Sequence, residues 1–131
     1  MRYNHYGETT HRNLLYVENV GNWSSIASNV TGFQVDENGR LTEIIGSTES
    51  LSSKNAKPTC IVINYNGKKI AVSEQNTNLI SIFTVQPDGS LTGPIVNNSS
   101  GPGPFGSVFL TNEILLVTEV GINALSVWCT N

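Results

Sequence analysis

The chain alternates apolar and polar residues in short runs, and one such run occurs twice. Residues 30–41 read Val-Thr-Gly-Phe-Gln-Val-Asp-Glu-Asn-Gly-Arg-Leu, and residues 80–91 read Ile-Ser-Ile-Phe-Thr-Val-Gln-Pro-Asp-Gly-Ser-Leu. Each run is an alternating strand followed by a Gly-containing turn and then a leucine, which is the pattern of a β-hairpin. A hairpin repeated about fifty residues apart indicates stacked β units, because one unit cannot bury its own apolar face.

A second strand signal recurs three times, with a valine at the matched place: Val17, Val72 and Val117. The spacings of 55 and 45 residues indicate that the repeat tolerates a loop of variable length. After each copy, a polar turn leads to a further strand with an aromatic residue at one matched position: Phe33, Phe83 and Trp128. We expect these aromatic side chains to pack in the core or between units, because they share one repeat position.

A strand introduced by proline precedes the second and third copies, at Pro58 and Pro104. After the Pro58 strand, Asn66-Gly67 is a signal for a two-residue turn, because both central positions of a type I′ turn need positive φ. The full unit is four antiparallel strands in about 45 residues, the size of one β-propeller blade. The predicted fold class is therefore all-β, a partial β-propeller built from four-stranded antiparallel blades.

These repeats set the predicted boundaries. Residues 1–13 form an unassigned N-terminal segment, where no strand is predicted, and residues 14–131 form the partial propeller. Within the propeller we expect an incomplete first blade, a complete blade and an incomplete last blade: residues 14–57, 58–103 and 104–131. A propeller closes as a ring of typically four to eight blades. We therefore expect that roughly two and a half blades cannot close alone, and that the chain is a truncated reading frame or a fragment of a longer protein.

Composition limits the expected partners. Charged residues make up 13% of the chain, the formal net charge is −3, and Lys68-Lys69 is the longest basic run. Nucleic acid and anionic membrane surfaces both favour clustered Lys and Arg, so neither is an expected partner. A membrane-spanning helix is not predicted either, because the chain lacks a long apolar run.

The N-terminal residues lack the apolar segment of a secretory signal. Triplets of the form Asn-x-Ser/Thr nevertheless begin at four positions: Asn22, Asn29, Asn97 and Asn98. Such triplets are glycosylation acceptors in secreted proteins, and they also arise by chance in an Asn/Ser-rich sequence. Cytoplasmic and secreted locations both stay open.

Cysteine and histidine give no sign of a metal centre. We favour two free, strand-packed thiols over a disulfide for Cys60 and Cys129, which lie far apart in the sequence. The histidines, His5 and His11, fall in the unassigned segment, off the blade strands, and no His/Cys/Asp cluster has metal-ligand spacing. No metal and no cofactor are therefore predicted.

Three phrases of the repeat are similar to a known family. They are Pro58 to Val72 with its Asn-Gly-Lys turn, Val72 to Ser81 with Pro87-Asp-Gly-Ser-Leu91, and Leu116 to Ser126. In these phrases the chain resembles the lactonase family of seven-bladed propellers, which includes bacterial 6-phosphogluconolactonase and the fungal 3-carboxymuconate cyclase. The resemblance runs from Leu14 to Trp128, and it covers a minority of a family member's length.

The resemblance implies that full-length relatives hydrolyse 6-phosphogluconolactone or cyclise carboxymuconate, so the expected ligand is a small lactone or sugar acid. A channel-centred site draws residues from several blades, and we therefore expect no efficient catalysis from this chain alone.

The alternative is a non-catalytic binding or interaction module, secreted in one version of the hypothesis. Such a module would recruit a partner or a second copy of itself through its open blade edges, because unpaired edges favour association.

Two glutamates are the candidate catalytic residues. Glu74 and Glu119 occupy equivalent places at strand ends, and lactone hydrolysis needs an acid or base near the ring carbonyl. A solvated or turn-bonding role is the alternative for each. Glu18 lies one position out of register with them, so strand alternation predicts that it points to the opposite face. Arg40 falls in an outer turn, and no His or Arg can be placed in the channel.

Overall fold

The computed structural model describes residues 5–22 and 24–130, and every regular element in those ranges is a β-strand. The strands are β1 (His5–His11), β2 (Leu14–Asn19), β3 (Asn29–Val35), β4 (Leu41–Glu43), β5 (Glu49–Ser50), β6 (Pro58–Ile63), β7 (Lys69–Glu74), β8 (Leu79–Val85), β9 (Leu91–Asn98), β10 (Pro104–Phe109), β11 (Ile114–Glu119) and β12 (Ala124–Cys129).

The strands form three antiparallel sheets, and each sheet is made of neighbours in the sequence. β1 to β4 form blade 1, with β5 also paired to β3; β6 to β9 form blade 2, and β10 to β12 form blade 3. The blades stack in this order, because β6 contacts both β1 and β10. The prediction of an all-β partial propeller is confirmed.

Blade 1 has a first strand that the sequence did not reveal. The expectation that no strand precedes Leu14 is wrong, because β1 pairs with β2 from His5 opposite Asn19 to His11 opposite Leu14. Both histidines, expected off the blade strands, therefore lie on one. The sequence of β1 lacks apolar alternation, so it carries no strand signal, yet the strand pairs with β2 and contacts β6 of blade 2. Blade 1 therefore begins before Leu14.

The alignment of the three copies is confirmed by strand register. Val17 pairs with Thr31, Val72 with Ser81, and Val117 with Ser126, so the matched valines face matched hydroxyl residues in the three blades. Glu74 and Glu119 then pair with the first residues of β8 and β12. The glutamates are therefore structurally equivalent, as the sequence predicts.

Two apolar clusters hold the blades together. The first lies between blades 1 and 2 and includes Tyr16, Ile61 and Phe83, while the second lies between blades 2 and 3 and includes Ile80 and Leu115. Each buried aliphatic or aromatic side chain contributes about 1.5–3 kcal/mol relative to exposure, so these interfaces are the main source of stability.

The matched aromatic residues differ in what covers them. Phe83 is fully buried in the first cluster, and Trp128 is half-buried against the second, as expected for packing residues. Phe33 is also half-buried, but strand alternation places it on the face of blade 1 that is turned away from blade 2. The corresponding outward face of blade 3 exposes Val108, Leu125 and Val127 by 52%, 60% and 65%.

Candidate functional site

The candidate glutamates lie at the ends of β7 and β11, next to the loops that connect one blade to the next. Glu74 is fully buried, and Glu119 is only 1% exposed. Glu74 shares its strand face with Val72, which packs in the cluster between blades 1 and 2, and Glu119 shares its face with Val117 in the cluster between blades 2 and 3. Each candidate therefore sits inside an interface between blades.

Glu74 accepts hydrogen bonds from every side of its carboxylate. Its Oε1 accepts a hydrogen bond from the hydroxyl of Ser81 and a second one, at 3.3 Å, from the backbone amide of Ser52. Its Oε2 accepts one from the hydroxyl of Ser52 and another, at 2.8 Å, from the hydroxyl of Thr77. Ser52 belongs to the loop between blades 1 and 2. The carboxylate thus ties that loop to two strands of blade 2.

Glu119 makes a looser version of the same arrangement. The hydroxyl of Ser99, in the loop before β10, donates to Oε1 at 2.6 Å. Burial acts to raise the pKa of Glu119. Hydrogen-bond donors near the carboxylate have the opposite and larger combined effect, so the pKa is lowered. These donors are the hydroxyls of Ser99 and Ser126 and the amides of Gly101 and Ser100. Within the described ranges, Oε2 has no hydrogen-bond partner. Glu119 is therefore ionised at neutral pH but less completely bonded than Glu74.

Blade 1 has an amide at the matched place. Asn19 is buried there, and its side-chain nitrogen donates to Oδ1 of Asn29 at 2.9 Å. The carboxylate at this position is thus a property of blades 2 and 3 only.

Glu18 points to the opposite face, as strand alternation predicts, and it is fully buried against blade 2. Neither of its carboxyl oxygens has a hydrogen-bond partner in the part of the chain that the structure describes. It lies so close to Gly7 that a Cβ on that glycine would be 2.7 Å from Oε1. Burial, with a smaller contribution from the charge of Glu8, raises the pKa of Glu18 to about 8. At neutral pH its carboxyl group is mostly protonated.

Hydroxyl and thiol groups continue from Glu18 across blade 2 to blade 3. The backbone amide of Ser107 donates to Sγ of Cys60 at 3.3 Å, and the hydroxyls of Ser73 and Ser107 share a hydrogen bond. Burial raises the pKa of the Cys60 thiol, Ser107 lowers it in part, and the charge of Glu18 raises it further. We call Glu18, Cys60, Ser73 and Ser107 the polar layer.

The sequence predicts only the orientation of Glu18 and names Glu74 and Glu119 as the catalytic candidates, yet the environment of Glu18 is the most unusual of the three. The signal was present in the repeat: the positions matched to Glu18 are Ser73 and Thr118, so a long ionisable side chain replaces a hydroxyl. Gly7, paired with Glu18, supplies the space for it. A protonated carboxyl is a potential proton donor, whereas the oxygens of Glu74 already accept four hydrogen bonds from neighbouring groups.

The other candidates do not meet at this end of the blades. Arg12 and Arg40 lie in turns at the opposite strand ends, and Arg40 is exposed as predicted. Arg2 lies outside the described residues. Cys60 and Cys129 are both free thiols, as favoured from the sequence, but Cys129 is exposed, so the expected packing of this thiol is wrong. In residues 5–22 and 24–130, no group of three or more His, Cys, Asp or Glu side chains is placed to hold a metal ion. Those ranges also hold no helix long and apolar enough to cross a membrane.

Comparisons with known proteins agree with this architecture. The profile of a family described as "Lactonase, 7-bladed beta-propeller" matches residues 9–109. No curated protein matches the sequence.

Two solved structures share the fold. A "putative 6-phosphogluconolactonase" from Bacteroides uniformis superposes with a TM-score of 0.74 and 22% identity over 91% of this chain and 33% of its own. The hydrazine synthase of Kuenenia stuttgartiensis superposes with a TM-score of 0.65 and 10% identity over 97% of this chain and 46% of its own. This chain therefore spans about a third of the first protein and less than half of the second.

Proposed function

Because this chain belongs to the family of seven-bladed β-propeller lactonases, we propose that it supplies three neighbouring blades of a propeller that hydrolyses the lactone of a sugar acid. The match of the family profile to residues 9–109 is the observation that carries the proposal. The Bacteroides uniformis protein, named for 6-phosphogluconolactone, suggests a phosphorylated substrate.

The polar layer provides chemistry suited to this reaction. Hydrolysis adds water to the ring carbonyl and breaks the bond from that carbon to the ring oxygen, which takes a proton and leaves as a hydroxyl. A carboxyl group with a pKa of about 8 holds its proton at neutral pH and can supply it to such an oxygen. We therefore assign the proton-donor role to Glu18, in a propeller whose other blades complete the site.

Glu74 and Glu119, predicted as catalytic from the sequence, are proposed instead to anchor the loops between blades. Their hydrogen bonds to Ser52 and Ser99 support this role. The two roles give different results when Glu74→Gln is made in this chain: an anchor role predicts lower stability to urea, whereas a purely catalytic role predicts unchanged stability.

The test combines binding and turnover. Residue-by-residue NMR titration of the 131-residue chain with gluconate and 6-phosphogluconate, the product acids, should shift amide signals of the polar layer. Because blades outside this chain are needed to close the site, we expect hydrolysis of 6-phosphogluconolactone to remain at the spontaneous rate. Turnover well above that rate by the isolated chain would contradict the need for further blades, and no shifts in the polar layer would contradict its role.

A second candidate function is suggested by the outward faces of blades 1 and 3. Leu125 and Val127 are exposed, while the matched residues of blade 2, Ile80 and Ile82, pack against blade 3. We propose that, in the absence of further blades, the chain self-associates by stacking the outward face of blade 3 on that of blade 1 in a second copy. Light scattering that shows a stable monomer at high concentration would contradict this.

A further inference from the structure

A broad groove opens between blades 1 and 2 at the strand ends opposite the polar layer. Three turns form it: the β1–β2 turn with Arg12, the β6–β7 turn with Gly67 and Lys68, and the β8–β9 turn with Asp88. Its volume is about 610 Å³, within the roughly 300–1,000 Å³ range of small-molecule sites. The groove is therefore large enough for a small metabolite.

The three turns are fixed against each other. The hydroxyl of Tyr16, on β2, donates to the carbonyl of Gly89 at 2.8 Å and joins blade 1 to the β8–β9 turn. The imidazole of His11 lies against Gly67, where an added Cβ would come within 2.4 Å of it. These contacts join the β1–β2 turn to the β6–β7 turn, and blade 1 to the β8–β9 turn.

Basic groups are concentrated in this groove. Arg12 and Lys68, two of the chain's seven Lys and Arg residues, line it together with His11, although the chain as a whole has a net charge of −3. In the part of the chain that the structure describes, neither the Arg12 guanidinium nor the Lys68 ammonium group has a hydrogen bond or ion pair. The lining carboxylate, Asp88, accepts hydrogen bonds from the amide and hydroxyl of Ser90. The two cations thus remain available to a ligand.

The backbone at Arg12 is a second indication. Arg12 has φ of 55°, in the left-handed region where glycine and asparagine are favoured. The corresponding left-handed position of the β6–β7 turn holds Gly67. An arginine at such a position is less favourable than glycine, and this kind of local strain is concentrated at functional sites.

We propose that this groove binds a small metabolite carrying a phosphate or carboxylate group, with Arg12 and Lys68 contacting the anion. Asn13 and Asn66, which also line the groove, place side-chain amides near the hydroxyl groups of a sugar acid. The site is separate from the polar layer, because it lies at the other end of the same strands.

The test uses the full chain with two probes, inorganic phosphate and 6-phosphogluconate, in titrations followed by NMR and calorimetry. We expect saturable shifts at residues 11–14, 66–68 and 86–88, and affinity that falls as salt rises. The double variant Arg12→Gly, Lys68→Ala should weaken binding of both probes at least about tenfold, because two charge-assisted contacts are lost. Glycine fits the left-handed backbone, so the variant keeps the fold.

The matched control is the double variant Arg40→Ala, Lys54→Ala, which makes the same change in net charge at two positions outside the groove. It should bind both probes as the unmodified chain does. Equal weakening in the two double variants would show general electrostatic attraction and overturn the proposal, as would shifts confined to the polar layer. Tighter binding of 6-phosphogluconate than of phosphate identifies a sugar-phosphate site, and equal binding identifies a site for the anion alone.

Discussion

Glu18 and Glu74 enter the same interface from opposite sides, the first from β2 of blade 1 and the second from β7 of blade 2. Both are fully buried. Glu74 accepts four hydrogen bonds, whereas neither oxygen of Glu18 has a partner among the described residues. The two carboxyl groups are therefore equally buried and differ in the number of hydrogen-bond donors around them. That number decides how well the charged form of a buried carboxyl group is stabilised.

The largest effect is expected from removing the better bonded carboxylate. Glu74→Ala leaves the hydroxyls of Ser52, Thr77 and Ser81 without their acceptor and opens a cavity, so it should lower the free energy of unfolding by about 3 kcal/mol. Urea unfolding followed by circular dichroism measures this. Glu37→Ala, at an exposed carboxylate in the β3–β4 turn, should change stability by less than about 0.5 kcal/mol. Equal effects of the two substitutions would remove the distinction on which the comparison rests.

The pH dependence of stability should be set by the unpartnered carboxyl. The pKa of Glu18 rises from 4.5 to about 8 on folding, so the folded state binds more protons than the unfolded state between these values. Stability from this group is fully present below about pH 4.5 and is lost as pH rises through about 8. We expect a loss of about 2–3 kcal/mol between pH 5 and pH 8 that Glu18→Gln abolishes.

Urea unfolding at several pH values measures this loss of stability in the unmodified chain and in Glu18→Gln. The difference between their curves of stability against pH isolates the contribution of Glu18 from those of other titrating groups. If the curves are parallel, the folded pKa of Glu18 is ordinary and its isolation from donors is wrong.

The repeat pattern was enough to predict much of the architecture, because matched residues of a sequence repeat occupy matched places in the structure. Val17, Val72 and Val117 align in the structure as in the sequence, because the same side chain fills the same place in each blade. The opposite orientation of Glu18 followed from the two-residue period of a strand.

Two features could not be predicted because neither leaves a periodic signal. β1 is polar and is held by backbone pairing to β2, which any sequence can supply. The isolation of Glu18 depends on what lies across the interface from it, and that is decided by the stacking of blades 1 and 2. Gly7 was the available clue, since a glycine opposite a glutamate in a strand pair gives the longer side chain space.

Filling the space at Gly7 should have a smaller effect on stability. Gly7→Ala places a Cβ 2.7 Å from Oε1 of Glu18, so the carboxyl must move, and we expect a loss of about 1–2 kcal/mol. Glu18→Ala should remove the clash, so that Gly7→Ala costs little in that background. A double-mutant cycle by urea unfolding measures the coupling. Additive effects of the two substitutions would show that Gly7 does not accommodate Glu18.

The smallest effect is expected at Glu119, whose carboxylate is less completely hydrogen-bonded than that of Glu74 and more so than that of Glu18. The hydroxyl of Ser99 donates to its carboxylate at 2.6 Å, and Ser126, Ser100 and Gly101 also lower its pKa. Its contribution to stability is therefore present above the ordinary pKa and is lost as pH falls through the lowered pKa of the folded state. Glu119→Gln should therefore lower stability at pH 7 by about 0.5–1 kcal/mol and less at pH 3. Ser99→Ala is the matched variant, because it removes the donor and leaves the carboxylate. If urea unfolding at pH 7 shows that Glu119→Gln is as damaging as Glu74→Ala, the number of donors does not set the strength of these anchors.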